Sequence, residues 1–223
     1  MNPIANLLLA TVAFVALHFI PSTPLRAAVV ARFGQRRYLG AYSVVAAVAL
    51  VWMSWAYAQA PRQLLWEGWR LLPVVIMPFS LILAVAGYTT RNPTAVMQER
   101  TLQSADPARG IVRITRHPLM WGIALWAAAH ALARGDLKSL IFFGGLLVLA
   151  LLGTVLIDRR RAALGEDWRR FAAVTSNVPF LAIAQGRNRF IPSEVGYRRP
   201  LIGLAVFVAL FLLHPYLFGA RAY

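Results

Sequence analysis

Four histidines, His18, His117, His130 and His214, are the residues of this chain whose type and placement suit chemistry best. All four fall within long uncharged stretches or at their ends. An imidazole in hydrocarbon is costly unless its nitrogens are satisfied, so each is a candidate for function. The plainer alternative is a histidine that hydrogen-bonds a neighbouring helix. Two neutral imidazoles facing each other across a helix bundle can ligate haem iron from both sides. His130 suits that role, because Ala127, Ala128, Ala129 and Ala131 let a flat macrocycle approach the helix closely. His18 closes the first apolar stretch just ahead of Pro21, and His214 precedes Pro215 near the end of the last one. His117 sits in Arg116-His117-Pro118, where proline suits a first helical turn. With Arg113 and Arg116 it forms a rim fitted to an anionic group such as a propionate or a phosphate.

Other chemistries lack materials. The chain has no cysteine, which excludes disulfides, thiolate metal sites and cysteine nucleophiles. The uncharged stretches by definition hold no acid, which removes proton relays and carboxylate-bridged metal sites from the apolar interior. No residue stands out as catalytic.

The elements that must position these histidines are six stretches free of Asp, Glu, Lys and Arg: 4–20, 38–60, 71–88, 117–133, 139–157 and 200–220. A membrane span needs roughly 20 apolar residues, with about 17 as the lower limit. Hydrocarbon offers no partner to backbone groups, so such spans must be helices. Hydrophobic residues make up 59% of the 223 and charged ones 14%, too little polar surface for a soluble protein. The expected fold is an all-α integral membrane bundle of six transmembrane helices, one domain over 1–223, with interfacial loops at 89–116 and 158–199. The first stretch follows Met1-Asn2-Pro3 with no basic region ahead of it, so we read it as a retained helix.

Lys+Arg outnumber Asp+Glu by 23 to 8. In a soluble protein this suggests nucleic acid as partner; here the positions favour lipid headgroups and cytosolic loops instead. Arg26, Arg32, Arg36 and Arg37 follow the first stretch, Arg91 to Arg116 the third, and Arg159 to Arg199 the fifth. The alternate side receives Arg62, Arg70, Arg134, Lys138 and Arg221. That alternation implies an even number of spans with both termini on the periplasmic side. In the loop after the fifth stretch, Trp168, Phe171, Val174, Val178, Phe180 and Leu181 alternate with arginines. They suit either segments lying in the interface or an ordered cap on the bundle. Gly144, Gly145 and Gly153 offer the fifth helix a small-residue face for close packing, and Pro73 and Pro78 are expected to bend the third.

The segment Gly110-Ile111-Val112-Arg113-Ile114-Thr115-Arg116-His117-Pro118 resembles the signature of the NnrU family, which includes relatives of the 15-cis-zeta-carotene isomerases of plants and cyanobacteria. The His18 segment to Arg26, the run from Leu164-Gly165-Glu166-Asp167 through Thr175 to Phe180 and Gly186-Arg187, and His214-Pro215 agree with it in order. The resemblance implies a b-type haem whose axial ligands match His18 and His130. It also implies a bacterial inner-membrane protein whose small apolar or gaseous ligand is a polyene isomerised without net redox change, or nitric oxide in denitrification.

Depth along the helices disagrees with that pair. His18 sits near the cytosolic end of its helix, whereas His130 lies 13 residues beyond His117, about 20 Å along an axis. Depth alone pairs His18 with His117 and His130 with His214. A weaker likeness, through Arg116-His117-Pro118 and Leu164-Gly165-Glu166-Asp167-Trp168, is to isoprenylcysteine carboxyl methyltransferases, which use S-adenosylmethionine. Their acidic residue after the fifth helix is matched at best by Asp158. A non-enzymatic membrane scaffold is the third reading. Substrate and oligomeric state are not encoded in any motif.

Overall fold

Helix α1, Pro3–Phe19, starts where the Asn2 side chain accepts the Ile4 N–H at 2.9 Å and proline occupies the first turn. A 3₁₀ turn at Ile20–Ser22 extends it, and the short α2, Pro24–Phe33, ends at Gly34. These features belong to a computed structural model in which residues 1–220 are described; Arg221, expected on the sparsely charged side, lies outside them. The chain continues with α3 (Gln35–Gln59), α4 (Leu72–Thr89), α5 (Pro118–Arg134) and α6 (Leu137–Ala162). The shorter α7 (Glu166–Val174), α8 (Leu181–Ala184) and α9 (Pro192–Val195) lead to α10 (Arg198–Phe218). The described residues form no strand beyond one isolated bridge between Leu64 and Asp136.

Among the described residues, five helices are long and apolar enough to cross a membrane: α1 with its 3₁₀ extension, α3, α4, α6 and α10. The expected sixth, α5, has 17 residues and no such extension. Its ends are set sharply. Pro118 opens it, and at its far end Gly135 adopts φ +61°, where a Cβ would lie 2.2 Å from the Trp66 carbonyl oxygen. Asp136 then caps α6 by accepting the Ser139 N–H at 2.9 Å.

The six long helices pack in the order α10, α4, α5, α6, α1, α3, with α3 also touching α6. Close approach needs small residues at the crossings. A Cβ on Gly203 of α10 would sit 2.7 Å from Ile82 Cα, one on Gly122 of α5 would sit 2.8 Å from the Ser80 carbonyl oxygen, and one on Gly145 of α6 would sit 2.2 Å from Thr11 Cγ2. Of the three α6 glycines expected to make such a face, only Gly145 is tight; Gly144 meets just its own helix's Leu140, and Gly153 has Met120 Sδ at 3.8 Å. The outward faces are apolar, with Val44, Val48 and Val51 on α3 and Leu201, Val208 and Leu212 on α10 all at least half exposed. Pro78 lies within α4.

The core divides in two. At the end of the bundle that carries few arginines, Leu7, Ala10, Met53, Ala56, Ala127, Phe143 and Leu146 pack together. At the arginine-rich end, Ala86, Leu102, Ile111, Val112, Ile114, Trp168 and Phe171 form a second cluster. The long loop caps the bundle, one of the two parts expected of it. Trp168 and Phe171 cap the bundle from inside, while Val174, Val178, Phe180 and Leu181 remain 40–55% exposed.

Candidate functional site

The segment from Gly110 to Pro118 crosses the arginine-rich end as a 3₁₀ turn (Gly110–Arg113) leading into α5. Two of its backbone groups bond the later Thr175–Phe180 run. The Arg116 N–H donates to the Ser176 carbonyl at 2.9 Å, and the Phe180 N–H to the Ile114 carbonyl at 2.8 Å. Thr115 Oγ1 and Trp121 Nε1 both donate to the Asn177 carbonyl, at 2.5 and 2.8 Å, and Asn177 Nδ2 reaches Thr154 of α6. Arg187 adds a bond to the Thr175 carbonyl at 2.9 Å.

The three rim residues are held by the chain's own groups. Arg113 grips Glu194 through Nε and Nη2 at 2.7 and 3.0 Å, and also reaches Asn188 and Asp106. That guanidinium, with the burial of the carboxylate opposing it and the Gly110 N–H helping, holds Glu194 down to about 2. Arg113 is raised in turn, first by its bond to Glu194. Arg116 donates to both oxygens of Asp158 at 3.0–3.1 Å and to the Thr175 carbonyl at 3.0 Å, and lies over the Trp168 ring. His117 is 2% exposed and bonds Asp158 Oδ1 through Nε2 at 2.7 Å. Asp158 is thus the meeting point of two of the three rim residues, and the acid best placed for a cofactor-binding role is engaged internally.

The other three histidines share a different arrangement. Nδ1 of His18 lies 2.7 Å from the Phe14 carbonyl, that of His130 lies 2.8 Å from the Trp126 carbonyl, and that of His214 lies 2.6 Å from the Ala220 carbonyl. A carbonyl can only accept, so in each ring Nδ1 carries a proton, and the neutral form has its lone pair on Nε2. This is the tautomer a metal-ligating histidine takes when its second nitrogen is anchored. Aromatic rings flank each one: Phe14 and Tyr42 at His18, Trp126 and Phe143 at His130, Phe218 at His214.

His130 and His214 both lie toward the end that carries few arginines, on α5 and α10. It does not bring His18 to His130. The His130 ring packs on Phe143, which shares a cluster with Leu7 and Ala10, and Gly145 meets Thr11. His18 lies seven residues beyond Thr11 on α1, which places it roughly 10 Å farther along the axis. As one iron's two ligands, His18 and His130 do not fit this arrangement. His130 and His214 lie at a similar depth, and their imidazoles offer the same donor atom as that of His18.

Sequence reasoning missed Glu194, Asp106 and Asn188 as partners of Arg113. The available signal was scarcity: with only 8 acids against 23 bases, each acid is sought by several arginines. Among the described residues every acid except Glu67 has a cationic partner.

The segments that carry this cap are those on which the family resemblance rested, and the family model described as NnrU protein matches residues 6–222. The chain belongs to the NnrU family. It is also 37% identical over 116 residues to the chloroplastic 15-cis-zeta-carotene isomerase of Arabidopsis thaliana, covering 50% of this chain and 31% of that one. The corresponding figures for the isomerase of Zea mays are 33% over 111 residues, 48% and 30%. This NnrU chain thus matches about a third of the length of these relatives. No solved structure matches it.

Proposed function

We propose that this NnrU protein binds a b-type haem through His130 and His214, and that it acts on or senses a small apolar or gaseous ligand within the bundle. The observation that carries the proposal is the shared tautomer: an anchored Nδ1–H and a free Nε2 lone pair on half-buried imidazoles in an apolar, aromatic setting. The resemblance to the isomerases supports the cofactor, while the depth of the helices supports His214 over His18 as the second ligand. A bound haem would supply an iron centre able to take nitric oxide or the π-electrons of a polyene.

The chain's own contribution is positioning. Ala127 and Ala131 keep the neighbouring face of α5 narrow, and Trp126 and Phe143 wall the imidazole from water. The rim of Arg113, Arg116 and His117 acts at the other end, fixing the cap through internal carboxylates. We place the protein in a bacterial inner membrane, with α5 as a sixth span and both termini on the periplasmic side. The support is the arginine alternation, together with α5 packing against α4 on one side and α6 on the other. Whether the role is isomerase-like or belongs to denitrification follows from which ligand binds.

The test is the pyridine haemochrome of protein purified in detergent after expression with haem precursor. A b-type spectrum near one haem per chain is expected. Its Soret band should shift when nitric oxide is added to the reduced protein. A preparation with no haem overturns the proposal.

A further inference from the structure

A cleft of about 970 Å³ opens at the arginine-rich end, away from the histidines, between the end of α4, the 99–110 segment and the start of α10. Four arginines line it: Arg91, Arg100, Arg109 and Arg199. Two acids, Asp106 and Glu194, share the wall, but both are taken by Arg113. Arg199 donates to the Val195 carbonyl at 3.1 Å. The side chains of Arg91, Arg100 and Arg109 make no hydrogen bond or ion pair with any described residue, although Arg109 helps to lower Glu194. At the same end Arg113, Arg116 and Arg161 each hold a carboxylate. The cleft gathers four arginines around two acids that Arg113 already holds.

Its position says what kind of anion suits it. Arg91 lies two residues past the end of α4, and Arg199 is the second residue of α10. Both helices are long and apolar enough to cross a membrane, and they pack on each other. Their ends meet at the depth where lipid headgroups lie. Beyond Arg199 on the same side of α10, three and fourteen residues on, Ile202 and Leu213 are about half exposed, with Val206 partly so between them. A charged cleft continuous with an apolar stripe matches a molecule with an anionic head and hydrocarbon tails.

We propose that this cleft is a binding site for the phosphate headgroup of an anionic phospholipid, with its acyl chains along α10. The reading rests on α4 and α10 lying in the membrane and is independent of the haem proposal. Phosphate is the shared chemistry of a lipid headgroup and a free anion; the apolar stripe selects the lipid.

Native mass spectrometry of the full chain, released from detergent with defined lipids, tests this. Phosphatidylglycerol should be retained well over phosphatidylcholine of the same acyl length. The Arg91→Gln/Arg100→Gln/Arg109→Gln variant should lose that preference on the order of a hundredfold. The control Arg159→Gln/Arg169→Gln/Arg170→Gln likewise removes three charges, from exposed positions outside the cleft, and should leave it unchanged. Equal retention of both lipids by the unaltered chain overturns the proposal, whatever the variants do. So does an equal loss in the control, which would make the preference a matter of net charge. Displacement of the lipid by millimolar inorganic phosphate would assign the cleft to a free anion and overturn the lipid reading.

Discussion

His117 donates from Nε2 to Oδ1 of Asp158 across 2.7 Å, and the same carboxylate receives the Nε–H of Arg116. One acid thereby ties the start of α5 to the last turns of α6, and Arg116 extends the tie to the Thr175 carbonyl. Removing one partner of a buried charged pair leaves the others unmatched, which costs more than the pair itself contributes. Asp158→Ala is expected to lower unfolding free energy by about 3 kcal/mol, read by titration from mild detergent into dodecyl sulfate. His117→Ala should cost less, because Arg116 keeps its carboxylate. A loss below about 0.5 kcal/mol, the range of ordinary surface changes, in Asp158→Ala would show that the tie is not structural.

The pairing of Arg113 with Glu194 makes a prediction about acid. Glu194 is held at about 2 against its ordinary 4.5 by the guanidinium. A depressed carboxylate contributes stability that is complete above the ordinary value and is lost as pH falls through the folded one. Stability should therefore decline between about pH 4.5 and 2 in the unaltered chain, and Glu194→Gln should flatten that decline while being less stable at pH 7. Identical pH profiles for the two would remove Glu194 from the account.

Packing at Gly145 and Gly153 should respond differently to the same change. Gly145→Ala places a Cβ against Thr11 of α1, whereas Gly153→Ala meets only Met120 Sδ at ordinary contact distance. Thermal melts in detergent should show Gly145→Ala lowered by several degrees, an overpacking cost of about 1–3 kcal/mol, and Gly153→Ala unchanged or slightly raised.

The absence of native cysteine makes topology directly measurable. If α5 crosses the membrane, Arg36→Cys and Arg170→Cys lie on the same side and neither reacts with an impermeant maleimide in intact cells, while Gln63→Cys does. If α5 does not cross, Arg36→Cys and Arg170→Cys report opposite sides.

The long helices were legible because charge-free runs of this length can satisfy their backbone only as helices, and the observed bounds differ from the expected ones by a few residues. The sixth span is less clear for a physical reason: α5 is cut short by Pro118 at one end and Gly135 at the other. The cap was only half legible. Arg113, Arg116 and His117 stood out, but Asp106 and Glu194 sit in irregular or very short segments with no period to betray them, and nothing in the α6 pattern pointed Asp158 at Arg116 and His117. Depth along the helices, countable at 1.5 Å per residue, separated His18 from His130 in the sequence and does so again in the fold. The tautomers were invisible, since they depend on each ring's rotamer.

The central claim is that His130 and His214 share one haem, and the most direct test is the absorption spectrum of three single variants. The Soret band should be lost or shifted to a five-coordinate form in His130→Ala and in His214→Ala, and kept in His18→Ala. A band that survives His214→Ala and disappears in His18→Ala would contradict the account.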